Sequence, residues 1–86
     1  MKMSKIKNWV KVQRTGKRKN NPLYRNYISY IEVLITKIKE KDGNTYWGAF
    51  RVNKRVRRPY ESIWVGKSKI MATKKAIEWM RKHPRG

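Results

Sequence analysis

The side chains able to do chemistry in this chain are overwhelmingly cationic, and they come in clusters. Lys17, Arg18 and Lys19 form an unbroken row, and Lys54, Arg55, Arg57 and Arg58 place four positive charges within five residues. A third group, Lys67, Lys69, Lys74 and Lys75, continued by Arg81 and Lys82, lies near the C-terminus. Such groups neutralise phosphate, and cations at element ends or on outward faces do so without a desolvation penalty in a core. Across 86 residues there are 24 Lys and Arg against five carboxylates, Glu32, Glu40, Asp42, Glu61 and Glu78, giving a formal net charge of +19. An excess of that size repels itself on folding, and a polyanion offsets it. Nucleic acid carries phosphates densely enough to match. For any single basic run the alternative is a merely solvated surface.

Other chemistry is thinly represented. The one histidine, His83, precedes a proline near the C-terminus, where a surface position is expected. The five acids are spread along the chain; Glu32 and Glu61 could meet across a sheet, but each is expected to pair with a lysine or arginine instead. Gly66-Lys67-Ser68 has the ending of a phosphate-binding P-loop, but the upstream glycine is missing. There is no cysteine, which excludes disulfides, thiolate metal sites and a thiol nucleophile, and metal-ligand spacing is absent. The expectation is a protein without catalytic residues, metal or cofactor. No apolar run approaches the ~18 residues of a membrane span, and Met1–Lys11 lacks the apolar stretch of a signal peptide. A cytoplasmic or nucleoid-associated protein with no membrane and no small-molecule partner is the corresponding expectation.

The elements that must position the cations follow from periodicity. Residues 1–8 read as a basic arm, and Trp9-Val10-Lys11-Val12 alternates as a short strand would. Arg14 to Pro22 combines Gly, Asn and Pro breakers with the first basic row, an exposed loop. Residues 1–22 thus form an arm and loop ahead of a domain spanning 23–86. Between 27 and 40 two signals compete. Tyr27, Ile28, Tyr30, Ile31, Leu34, Ile35 and Ile38 share a helical arc, whereas Ile31, Val33, Ile35, Thr36 and Ile38 are β-branched. The Asp42-Gly43 pair decides for a β-hairpin, with Thr45–Val52 as the return strand. A two-residue loop there sets Ile38 opposite Trp47, Ile35 opposite Phe50 and Val33 opposite Val52. Tyr60–Val65 reads as a third strand, and Ser68 caps a helix running to about Lys82.

The expected fold is therefore α+β: a small three-stranded antiparallel sheet packed on one C-terminal helix. Ile70, Ala72, Thr73, Ala76, Ile77, Trp79 and Met80 make the helix's apolar face, and Lys74, Lys75, Glu78, Arg81 and Lys82 its outer face, together with Met71. Val33, Ile35, Phe50, Val52, Ile63 and Val65 are expected beneath the helix. That leaves Thr36, Ile38, Trp47, Arg51, Ser62 and Trp64 on the other face. There, either the segment around Trp9 folds over them, or Trp47, Arg51 and Trp64 contact nucleic acid by groove insertion or stacking.

Two resemblances attach to these residues. Gly66, Ser68, Lys69, Ala72, Ala76 and Met80 have the spacing that closes a double-stranded-RNA-binding domain, in which a strand ends in glycine and a helix opens with Ser and Lys. The resemblance implies that Lys69 contacts phosphate across a groove. Ile70 and Thr73 stand where that family has further lysines. More loosely, hairpin, third strand and helix in this order resemble the arm-binding domains of tyrosine integrases and the related AP2 domain, which read a DNA major groove with the sheet. Trp47-Gly48-Ala49-Phe50-Arg51-Val52 is similar to their central strand. That resemblance implies DNA contacts by Trp47, Arg51 and Trp64. Together these readings predict a nucleic-acid-binding domain that favours double-stranded DNA over RNA, with phosphate contacts and weak sequence preference. The alternatives are an RNA-binding component of a ribonucleoprotein, such as a small ribosomal protein, a double-stranded-RNA binder, or an adaptor for an acidic protein surface.

Overall fold

The computed structural model describes residues 6–57 and 59–86, apart from the side chain of Lys17. The chain forms strands β1 (Trp9–Val12), β2 (Leu23–Asn26), β3 (Glu32–Lys39), β4 (Thr45–Val52) and β5 (Tyr60–Gly66), then helix α1 (Lys69–Lys82). A 3-10 turn, Gly16–Asn20, lies between β1 and β2. The strands pair antiparallel in the order β1-β2-β3-β4-β5. The class is the expected α+β, but among the described residues the sheet has five strands instead of three. Leu23–Asn26 and Trp9–Val12 are four residues each, too short to carry a clear alternation. They become strands because the first half of β3 offers an unpaired edge: Leu23 pairs with Leu34, Tyr24 with Val33 and Arg25 with Glu32. β1 then pairs along β2.

The β3–β4 hairpin forms where expected, with a loop one residue longer. The Gly43 N–H donates to the Glu40 carbonyl at 3.0 Å, and the Glu40 N–H to the Asn44 carbonyl at 2.9 Å. Gly43 has φ of +89°, a backbone state that glycine adopts without steric cost. The Asp42 carboxylate accepts from the Asn44 N–H and side-chain amide, both at 2.9 Å, and these bonds hold its carboxyl below the usual carboxylate range. The extra loop residue shifts the register by one: Ile38 pairs with Tyr46, Ile35 with Ala49 and Val33 with Arg51. With a side-chain period of two, that slip turns β4 over. Phe50 and Val52, expected beneath the helix, lie on the opposite face, while Trp47 and Ala49 lie on the helix side.

Close approach of the helix explains the choice. Ala49 on β4 and Ala72 and Ala76 on α1 are fully buried, along with Met80, Val33 and Ile35. Methyl side chains let α1 settle against the sheet, where a phenyl ring would hold it off. A second adjustment comes in β5: the partner steps from Trp64 opposite Ala49 to Ser62 opposite Phe50, so Ile63 is an extra residue in a bulge. Ile63 and Trp64 both pack toward the core, and Val65 is exposed.

α1 opens as the sequence predicts, the Ser68 hydroxyl accepting from the Met71 N–H at 3.2 Å. Ile70 was expected on the apolar face but is 70% exposed, because the buried stripe runs Ala72-Ala76-Met80 and leaves the first turn beyond the sheet. The core continues past the helix. Trp9 packs edge-on to Trp79 with ring centroids 6.1 Å apart and donates from its indole N–H to the His83 carbonyl at 3.0 Å. Ile6 is buried and the Asn8 side chain donates to the Pro84 carbonyl at 2.9 Å. The arm expected over residues 1–8 therefore does not extend to Ile6 and Asn8; residues 1–5 lie outside the described residues.

Candidate nucleic-acid interface

Among the described residues the segment around Trp9 does not fold across the sheet face away from α1: β1 extends the sheet beside β2, and the residues that follow it border that face. A cleft of about 570 Å³ opens on that face. Leu23, Leu34 and Val52 contribute its apolar part, with Tyr60 at one margin. Around it stand Arg14, Arg18, Arg25 and Lys54, four cations against one carboxylate, Glu32.

Strand pairing brings these groups together. Arg25 on β2 lies opposite Glu32 on β3, and its guanidinium donates twice to Glu32 Oε2, from Nε at 3.0 Å and from a terminal nitrogen at 2.8 Å. Lys54, just beyond β4, sets its ammonium 3.6 Å from Glu32 Oε1. Glu32 is only 6% exposed, whereas both cations reach solvent. One buried carboxylate thus gathers two exposed cations at a point, an arrangement that presents N–H donors to an incoming phosphate oxygen. Arg14 is fixed by donating to the Asn21 carbonyl at 2.7 Å. Arg14, Arg25 and Tyr60 were not among the predicted site residues. Arg25 and Glu32 are seven apart in sequence, and only the pairing of β2 with β3 makes them partners.

The predicted residues do not form one surface. Arg18 lines the cleft, and Lys19 is exposed on the same 3-10 turn, which also contains Lys17. Lys54 flanks the cleft; Arg55 and Arg57 are exposed at the end of the sheet, with Arg55 over the Tyr30 ring at 5.8 Å. Arg58 lies outside the described residues. Lys67, Lys69, Lys74 and Lys75 are on the helix side of the molecule. Lys67 and Lys74 are exposed, Lys69 holds its ammonium 5.1 Å over the Trp47 ring, and Lys75 pairs with Glu78 at 3.8 Å.

Trp47, Arg51 and Trp64 lie on the other face of the sheet from the one the sequence predicts. Trp47 and Trp64 do not stand on the open face; they are half-buried against the core, because the shifted register turns both to the helix side. Arg51 shares their side of β4 and pairs with Glu61 at 3.9 Å. A sheet-face reader built from Trp47, Arg51 and Trp64 is therefore absent, and Phe50, Tyr60 and Leu34 occupy the open face instead.

His83 is exposed, its ring stacked on Trp79 with centroids 4.0 Å apart, and Nδ1 lies 2.7 Å from the Trp79 carbonyl. Glu32 and Glu61 each pair with cations and do not meet.

No family model, no curated protein and no solved structure matches this chain. Among the described residues no helix is long and apolar enough to cross a membrane.

Proposed function

We propose that this chain is a non-enzymatic nucleic-acid-binding protein whose main substrate is double-stranded DNA, held through phosphate contacts with weak sequence preference. One observation carries the reading: among the described residues exposed cations occupy both layers of the molecule, and on the sheet face away from α1 cations line a cleft. Among the described residues the ion pairs engage Arg25, Lys54, Arg51 and Lys75, while Arg18, Lys19, Arg55, Arg57, Lys67 and Lys74 are exposed.

The width of the sheet supports phosphate contact over groove reading. Five strands spaced ~4.8 Å apart make a face roughly 19 Å across, wider than a major groove of ~12 Å. Such a face bridges the backbones that border a groove and does not enter it. Contacts of that kind position a protein but carry little sequence information. A nucleoid-associated or cytoplasmic setting goes with this reading.

A salt series tests it. Log affinity for duplex DNA should fall by ~0.9 per phosphate neutralised for each tenfold rise in salt. Duplex RNA and single strands serve as competitors at two salt concentrations. A flat salt dependence, or failure to bind any polynucleotide at low ionic strength, overturns the proposal.

A further inference from the structure

The loop between β2 and β3 exposes three large side chains in four residues: Tyr27 is 57% exposed, Ile28 53% and Tyr30 63%. Exposed apolar groups usually sit on loops that can move. This loop is braced. Asn26 is fully buried beneath it, and its side-chain carbonyl accepts from the N–H groups of Ile28 at 2.9 Å and Ser29 at 3.1 Å. Its amide donates to the Pro84 carbonyl at 2.9 Å, tying the loop to the C-terminal segment. The Tyr27 hydroxyl donates to Asn8 Oδ1 at 3.1 Å. Tyr30 has φ of +62°, an uncommon state for an aromatic residue, and strain of that kind persists where surrounding contacts enforce it.

The neighbouring loop supplies charge. Residues 53–57 turn at the same end of the sheet, where the Asn53 N–H donates to the Pro59 carbonyl at 2.7 Å. Arg55 lies over the Tyr30 ring, within cation–π range, and so joins the two loops. Neither 27–31 nor 53–59 contains an acid. The result is a braced apolar tip with Arg55 against it and Arg57 exposed two residues further along the chain.

We propose that this tip is a wedge: Ile28 inserts at a base step of duplex DNA and kinks it, while Arg55 and Arg57 hold the adjacent phosphates. The inference rests on the duplex-binding reading above and adds what the protein does to the duplex. Isoleucine is among the side chains that unstack base steps in this way, with kinks of roughly 20–90°. Insertion requires a protruding side chain that does not retract, which the Asn26 bracing provides. A second copy of the chain fits the tip poorly, since the same cations would face each other. A flat anionic membrane fits less well than a bent polymer, because exposed cations also occupy the outer helix face and the open sheet face.

The test uses the full chain and a short duplex carrying a donor and an acceptor dye at its ends. Saturating wild-type protein should raise energy transfer. Ile28→Ala should bind within about threefold of wild type, since phosphates dominate affinity, yet leave transfer near that of free duplex; Ile28→Leu should restore it. Tyr30→Gly suits the positive φ, keeps the fold and loosens the tip, so it should reduce the bend. Circular dichroism checks folding of each variant. Undiminished transfer with Ile28→Ala overturns the wedge. So does wild-type binding without bending, which leaves the duplex reading standing; no duplex binding at low salt removes both. Ile28-dependent binding to phosphatidylserine vesicles with unbent DNA would assign the tip to a membrane surface and also overturn the wedge.

Discussion

The ring of Phe50 folds back along its own strand over Gly48. A Cβ at position 48 would lie 2.5 Å from Phe50 Cε2, 2.6 Å from Cζ and 3.0 Å from Ile38 Cδ1. Trp64 covers Gly66 at the same two-residue spacing but in the reverse chain order, on the opposite face. In each case a glycine leaves the space that an aromatic two residues away fills, so the rings lie on the sheet and the glycine backbone is shielded from water.

Gly48→Ala should displace the Phe50 ring and cost about 1 kcal/mol net, overpacking outweighing the entropy gained by replacing glycine. Phe50→Leu should suppress most of that cost. A double-mutant cycle in urea would read the coupling, expected above ~0.5 kcal/mol for residues in contact. Strict additivity would mean the two positions do not share the space.

The close packing of α1 on β4 makes a sharper demand. Ala76→Leu should destabilise by roughly 1–3 kcal/mol through overpacking, and Met80→Ala by about 2–5 kcal/mol through lost burial and a cavity. Thermal or chemical unfolding checks both. An unchanged midpoint for Ala76→Leu would place the helix farther from the sheet than described.

Arg14, Arg18 and Lys54 should act together on nucleic acid. Replacing all three with Ala should lower the magnitude of the salt slope by ~0.9 for each lost phosphate contact. Lys41→Ala should leave it unchanged, since Lys41 lies between Glu40 and Asp42 at the far hairpin loop. Binding at graded salt separates the two sets, and equal effects would deny the open face a special part. Removing Arg55, Arg57 and Arg58 together should likewise weaken binding more than removing Lys2 and Lys5.

Glu32→Gln should release Arg25 and Lys54 from a buried carboxylate. Stability is expected to fall by about 1 kcal/mol, since solvent screens both exposed cations. Duplex affinity should hold or rise. A binding loss larger than that of Arg25→Ala would mean that the carboxylate's positioning of Arg25 and Lys54 outweighs the repulsion of its own charge.

Burial raises the Tyr24 hydroxyl pKa above its ordinary value of 10.0. Above pH 10.0 the unfolded chain releases this proton before the folded chain does, so stability falls as pH rises from there toward the folded-state value. Tyr24→Phe should flatten that alkaline decline in unfolding midpoints measured across the range. The same slope in both proteins would assign the decline to other groups.

The chain by itself determined the elements that local rules govern. Ser68 and the Ala72-Ala76-Met80 spacing specify α1, and the β-branched run before Asp42-Gly43 specifies a hairpin. The cation count and its grouping are also plain in the residues. Tertiary structure alone decided which face each strand presents and which cations meet. Asp42-Gly43 is compatible with loops of two lengths, and one residue of slip exchanges the faces of the sheet on which Phe50 and Trp47 lie. That choice depends on how closely Ala72 and Ala76 can approach Ala49, a contact between segments more than twenty residues apart. The two short strands and the Arg25–Glu32 pairing likewise exist only because a neighbouring edge was there to receive them.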